Sequence, residues 1–122
     1  MRNAAARRRG RGAELAACRH LQEHGLRLLA RNYRTRRGEI DLIMLDGKVI
    51  VFVEVRSRAR AEFLHPADSV DSRKREHLLL AAQHYLQGKR LLDSTACRFD
   101  VVSLTGEIGA GKIEWIRDAF EA

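Results

Sequence analysis

Two cysteines, one proline, four lysines and no long apolar run in 122 residues each exclude something. Cys18 and Cys97 lie far apart, and each falls in an apolar pattern. The sequence therefore predicts reduced core thiols in a cytoplasmic protein, not a disulfide framework or a zinc knuckle. Nothing around either residue suggests an activating base, which argues against a catalytic cysteine. No apolar stretch approaches the ~18 residues of a membrane span, so no membrane partner is expected. The arginine-rich start also lacks the hydrophobic segment of a secretory signal. The lone proline, Pro66, sits in a stretch from Arg58 to Ser69 that reads as an exposed loop long enough to touch a ligand. No internal repeat or long linker is present. With 45% hydrophobic and 32% charged residues, the chain reads as a basic disordered tail, residues 1–10, and a single domain, residues 11–122.

Positive charge is carried by nineteen arginines against those four lysines, and it is unevenly placed. Residues 1–37 hold eleven arginines against Glu14 and Glu23, a surplus of nine, so a total of +7 leaves the remainder at −2. A basic front on a weakly acidic body suggests a polyanion gripped by Arg7, Arg8, Arg9, Arg11, Arg34, Arg36, Arg37 and Arg58. Guanidinium suits bidentate phosphate contacts. The plainer reading of the Arg7–Arg11 run is a solvated tail, and a GC-rich genome also favours arginine.

From Gly38 the chain reads Gly-Glu-Ile-Asp-Leu-Ile-Met-Leu, meets Asp46-Gly47, and returns as Lys-Val-Ile-Val-Phe-Val-Glu-Val-Arg. Asp-Gly between two apolar runs predicts a hairpin. Pairing Leu45 with Lys48 sets Asp41 opposite Phe52 and Glu39 opposite Glu54. One face then carries Glu39, Asp41, Ile43, Ile50, Phe52, Glu54 and Arg56; the other carries Ile40, Leu42, Met44, Val49, Val51, Val53 and Val55. The second face must be buried, whereas acids gather at the far end of the first. Two carboxylates ~4 Å apart repel by about 4 kcal/mol at an effective dielectric near 20, so three of them need cations nearby. Mg²⁺ or Mn²⁺, with hard oxygen ligands and retained waters, would satisfy the site. Local arginines, Arg56 and Arg58 among them, would also do so.

Gly12 to Gly25 reads as a helix with Glu14 on the same stripe as Ala17, Cys18 and Leu21. Glu14 is either a first-turn acid favoured by the helix dipole or a carboxylate aimed over the sheet at Asp41 and Glu54. A first strand is expected around Arg31 to Thr35. A second helix, about Asp71 to Gln87 with Gly88 as its stop, puts Lys74 at the edge of a stripe with Leu78, Ala81 and Tyr85. Lys74 there is a snorkelling lysine or a group that enters the site from above the sheet. Strands follow at Arg98–Leu104, carrying Asp100, and at Lys112–Phe120, with Trp115 central. The order α-β-β-β-α-β-β indicates an α/β or α+β sandwich with a mixed sheet. Gln83, His65, His77 and His84 are weaker candidates for the site.

Asp41 followed, after twelve residues, by Glu54-Val55-Arg56 is similar to the acid and Glu-x-Lys of the restriction-endonuclease-like superfamily. Glu14 is similar to the additional glutamate of archaeal Holliday-junction resolvases. More closely, Gly38-Glu39-Ile40-Asp41-Leu42-Ile43, Phe52-Val53-Glu54-Val55-Arg56 and a helix starting near Lys74 resemble the YraN-type family of uncharacterised bacterial proteins, over nearly all the chain after the tail. The resemblance implies a restriction-endonuclease-like mixed β-sheet flanked by helices and a nucleic-acid partner. It makes Asp41, Glu54 and the Val55 carbonyl ligands of Mg²⁺ or Mn²⁺, with Glu14 a further carboxylate nearby; the hairpin face, not the resemblance, offers Glu39 as a possible additional acid. Arg56 departs from the superfamily's lysine: arginine stays protonated, so it can donate hydrogen bonds to phosphate but cannot act as a base. Lys74 could supply the missing amine. Two functional classes remain open, a metal-dependent nuclease acting on branched or distorted DNA and an adaptor of the same fold that binds DNA without cutting. A third, a protein-interaction domain with a solvated tail, predicts salt-insensitive binding. Related resolvases work as homodimers, which implies self-association.

Overall fold

The computed structural model describes residues 4–58, 72–91 and 95–120, with side chains from residue 10 onward. Its elements are α1 (Ala4–Glu23), β1 (Arg27–Arg34), β2 (Glu39–Asp46), β3 (Val49–Arg58), α2 (Ser72–Gly88), β4 (Cys97–Thr105) and β5 (Lys112–Phe120). The five strands form one sheet in the order β1-β2-β3-β4-β5. Neighbours are antiparallel except β3 and β4, which run parallel. A parallel pair needs a crossover rather than a tight turn, and α2 lies within that connection. The expected α/β order and mixed sheet are those observed.

Period-2 alternation in the central strands leaves two apolar faces, and each takes a helix. Ala13, Ala17, Cys18 and Leu21 of α1 cluster with Leu42, Met44, Val51, Val53 and Val102. On the other side Leu78, Ala81, Ala82, Tyr85 and Leu86 of α2 cluster with Ile43, Ile50, Phe52, Phe99 and Val101. Each such aliphatic or aromatic side chain contributes about 1.5–3 kcal/mol on burial, so the faces fix the register.

The hairpin turn is at Gly47–Lys48, not Asp46–Gly47, because Asp46 pairs with Val49 and Leu45 with Ile50. Gly47 takes the positive φ, 62°, that the first position of a type II′ turn requires. Asp46 is kept in the ladder, where the Arg98 guanidinium reaches its carboxylate at 2.9 Å. Moving the turn by one residue shifts every partner by two positions, which preserves both faces. Leu42 pairs with Val53, so the next position outward sets Asp41 across from Glu54 rather than Phe52. Ile40 also departs from the alternation. It joins the α2-side cluster with Ile43, beside a β1 irregularity in which Asn32 takes φ 51°. Asp41 therefore sits where β2 changes face.

Three boundaries correct the sequence expectation. α1 begins at Ala4, so residues 4–10 of the expected tail are helical. Alanine and arginine have high helix propensity even where no apolar stripe marks a helix. β1 begins at Arg27. α2 runs through Gly88, and its end is formed by Arg90, φ 58°, with Leu91 N–H donating to the Leu86 carbonyl at 2.8 Å. Gly25, φ 93°, does close α1, with Leu26 N–H donating to Leu21 O at 3.1 Å in the six-to-one pattern of a Schellman end. Cys18 is buried and free as expected, but Cys97 is exposed at the start of β4. The loop around Pro66 and Asp71, the expected start of the second helix, lie outside the described residues. Among the described residues no helix is long and apolar enough to cross a membrane.

Gly38 is required by contact, not by φ. A Cβ there would overlap the carbonyl oxygen of His77 in α2. Gly38→Ala must push the start of β2 away from α2, and overpacking of this kind costs about 2–3 kcal/mol. A urea titration should show that loss with an unchanged slope.

Candidate functional site

Glu14, Asp41, Glu54, Arg56 and Lys74 line one cleft of about 490 Å³. They come from four elements, α1, β2, β3 and α2. Glu54 is only 5% exposed, and a buried carboxylate is stable only when paired. Its Oε1 lies 2.7 Å from Lys74 Nζ and 3.5 Å from Arg56 Nε. Lys74 thus reaches across the α2 face of the sheet to the acid that follows Asp41 in the motif. Asp41 is half-buried, and its Oδ2 accepts the Val55 N–H at 2.8 Å.

Asp41 has its carboxyl pushed up to about 7. Burial is the largest cause and the Glu54 charge the next; the Val55 N–H opposes them, Glu14 adds repulsion, and Lys74 opposes again. The consequence for stability has a definite sign. The folded chain holds this proton up to about pH 7, whereas the unfolded chain releases it near 3.8. Stability from this group is therefore greatest below pH 4, falls as pH rises towards 7, and is flat above. Urea midpoints at pH 5 and pH 8 should show it. The loss between them should be smaller in Asp41→Asn by about 1–2 kcal/mol, after discounting for the open cleft.

The other expected site residues are dispersed. Glu39 is on the cleft rim, 63% exposed and paired with Arg34 at 3.4 Å. Arg11 and Arg34 also line the cleft, while Arg36 and Arg37 line a second groove with Arg34, Gln83 and His84. Arg58 ends β3, where its carbonyl accepts the Gly106 N–H at 2.8 Å. His77 is exposed on α2, and His84 is bonded to the Tyr33 hydroxyl. The side chains of Arg7, Arg8 and Arg9, and all of His65, lie outside the described residues. Among the described residues no group of three His, Cys, Asp or Glu side chains is placed to hold a metal ion; the donor set is a carboxylate pair, not a closed cage.

Asn32 and Ser57 also line the cleft, and neither is among the expected site residues. Ser57 could have been noticed as the polar residue that follows Val51, Val53 and Val55 on one side of β3. Its buried hydroxyl has no hydrogen-bond partner among the described residues. Asp100 is a different case. It is fully buried, takes Arg98 Nε at 3.0 Å, Trp115 Nε1 at 2.9 Å and Asp118 N–H at 2.9 Å, and is absent from the cleft. Trp115 packs with the α1-side cluster, so this carboxylate ties β4 to β5 on that side.

Fold and cleft together define an α/β protein with a five-stranded mixed sheet, a helix on each face, and a carboxylate pair with a lysine at one end of its central hairpin. A family model described as Uncharacterised protein family UPF0102 matches residues 13–104, and the chain belongs to that family. The YraN-type resemblance pointed to the same family. The chain is 52% identical over 114 residues to a UPF0102 protein of Pseudomonas fluorescens, covering 93% of each. It is 50% identical over 120 residues to one of Nitrosococcus oceani, covering 98% of this chain and 97% of the other. Against one of Dechloromonas aromatica it is 53% identical over 114 residues, covering 93% and 89%. The matched segment includes Glu14, Asp41, Glu54, Arg56 and Lys74.

Proposed function

We propose that the chain is a metal-dependent nuclease acting on branched or otherwise distorted DNA, with Lys74 supplying the amine that Arg56 replaces in the motif. The observation that carries this reading is the 2.7 Å approach of Lys74 Nζ to Glu54 Oε1. Asp41, Glu54 and the Val55 carbonyl would hold Mg²⁺ or Mn²⁺. The pair fits, because Mg²⁺ keeps several waters and needs only one or two protein carboxylates, and because the Val55 N–H and Lys74 offset only part of the burial and of the Glu54 and Glu14 repulsion at Asp41. Bound there, the cation would supply an activated water and neutralise charge on phosphate oxygens.

The chain's own groups do the rest. Lys74 positions the attacking water beside Glu54. Arg56, always charged, donates hydrogen bonds to the phosphate oxygens as negative charge develops. Glu14, beside Asp41, offers an acceptor for the water's proton. Arg11 and Arg34 on the rim contact flanking phosphates, which selects shape more than base identity. A homodimer would present two such clefts to two strands, and the free thiols suit a cytoplasmic setting.

One observation favours a second reading. Lys74 and Arg56 together already balance Glu54, as a cation would, so the same cleft could serve an adaptor that binds DNA without cutting. Mn²⁺-dependent cleavage by Lys74 variants separates the two. On the nuclease reading Lys74→Ala cuts about 100- to 1,000-fold more slowly and Lys74→Arg does not recover. Wild-type protein that binds DNA but never cuts it would establish the adaptor.

A further inference from the structure

The cleft does not end at its rim. Arg34 lines it and also lines a second groove of about 520 Å³ between the β1–β2 connection and α2. Arg34, Arg36 and Arg37 form one wall of that groove; Gln83, His84 and Gln87 of α2 contribute the other, and none of the described residues lining it is acidic. We infer that this groove holds an unpaired nucleic-acid strand continuing from the acidic cleft, an inference that rests on the nucleic-acid part of the reading above.

The asymmetry of the walls decides for a single strand. A duplex presents phosphates on both sides and pairs its base edges. A single strand presents phosphates along one side and unpaired edges and ring faces along the other. Guanidinium groups suit the first side, while the amides of Gln83 and Gln87 and the imidazole of His84 suit the second. Gln83 and Gln87 are one helical turn apart, so they share a face.

The basic wall is also held in place before any ligand arrives. The Thr35 hydroxyl accepts the N–H groups of Arg37 and Gly38, each at 3.1 Å, and Thr35 N–H donates to the Gly38 carbonyl at 2.8 Å. Gly38 in turn abuts the His77 carbonyl of α2, which fixes the loop against the helix that forms the opposite wall. A pre-formed wall loses little conformational freedom on binding.

The test is binding in EDTA, so that cleavage is not read. Fluorescence anisotropy would follow a short labelled single-stranded DNA and the matched blunt duplex across a salt series. The Arg36→Ala/Arg37→Ala protein should bind the single strand about tenfold more weakly, with a salt slope reduced by ~1.4, the ~0.7 per phosphate of single strands taken twice. The Gln83→Ala/Gln87→Ala protein should lose about three- to tenfold with its slope unchanged. Duplex affinity should move less than about twofold in both. Groove variants that bind like the wild type, or that lose single strand and duplex equally, overturn this inference while leaving the nuclease reading standing. Wild-type protein that binds neither DNA overturns both.

Discussion

Asp41→Asn should stabilise the metal-free protein at pH 8 and, on the proposed metal site, abolish Mn²⁺ binding. The carboxyl rises from 3.8 to about 7 because burial and the Glu54 charge oppose ionisation. At ~1.4 kcal/mol per unit that sets an upper bound near 4 kcal/mol on what the carboxylate costs the folded state above pH 7. Solvent in the open cleft screens part of it, so about 2 kcal/mol is expected, or some 5–10 °C in melting temperature for a domain of this size. Asparagine keeps an oxygen to accept the Val55 N–H, so the local backbone should be retained. Calorimetric titration should show Mn²⁺ affinity falling at least ~100-fold, the upper end of the loss expected for a mere supporting partner. Glu54→Gln should also lose the ion, but with lower stability, since it removes the carboxylate that Lys74 and Arg56 share. A more stable protein with less function at one position is the signature of a site held under electrostatic strain.

Asp100→Ala should be strongly destabilising. It deletes a fully buried acceptor that serves Arg98, Trp115 and the Asp118 backbone, and leaves the half-buried Arg98 guanidinium with one carboxylate fewer. Asp46 would still hold Arg98 at 2.9 Å, which limits the loss. Removing one partner of such a network costs about 3–5 kcal/mol. Trp115 is the only tryptophan, so its fluorescence reports the transition directly. Asp100 does not line the cleft, so on the proposed metal site the folded fraction should bind Mn²⁺ as the wild type does.

The fold was legible wherever alternation or helical period was strong. Both hairpin faces, the stripe of Leu78, Ala81 and Tyr85, and the carboxylates at the end of β2 and β3 follow from spacing alone. The turn position did not, because moving it by one residue preserves every face; a distant group, Arg98, holds Asp46 in the ladder. The first turns of α1 carry arginine and alanine without an apolar stripe, so nothing periodic marked the true start. The reversal at Ile40 accompanies a positive φ at Asn32 of β1, which a period-2 pattern cannot express. For the site, the sequence named both possible positions of Lys74, and only the assembled sheet puts its amine on Glu54. Asp100 was visible as an acid on a strand, but its partners Arg98, Trp115 and Asp118 meet it only after β4 and β5 pair.

The most direct measurement is Mn²⁺- or Mg²⁺-dependent cleavage of labelled duplex, single-stranded and four-way-junction DNA by wild-type protein beside Asp41→Ala and Glu54→Ala. The proposed nuclease predicts cutting by the wild type, strongest on the branched substrate, and its loss by about 1,000-fold or more in each variant. Cutting that persists in both variants would contradict the assignment of Asp41 and Glu54, and binding without any cutting by the wild type would contradict the nuclease itself.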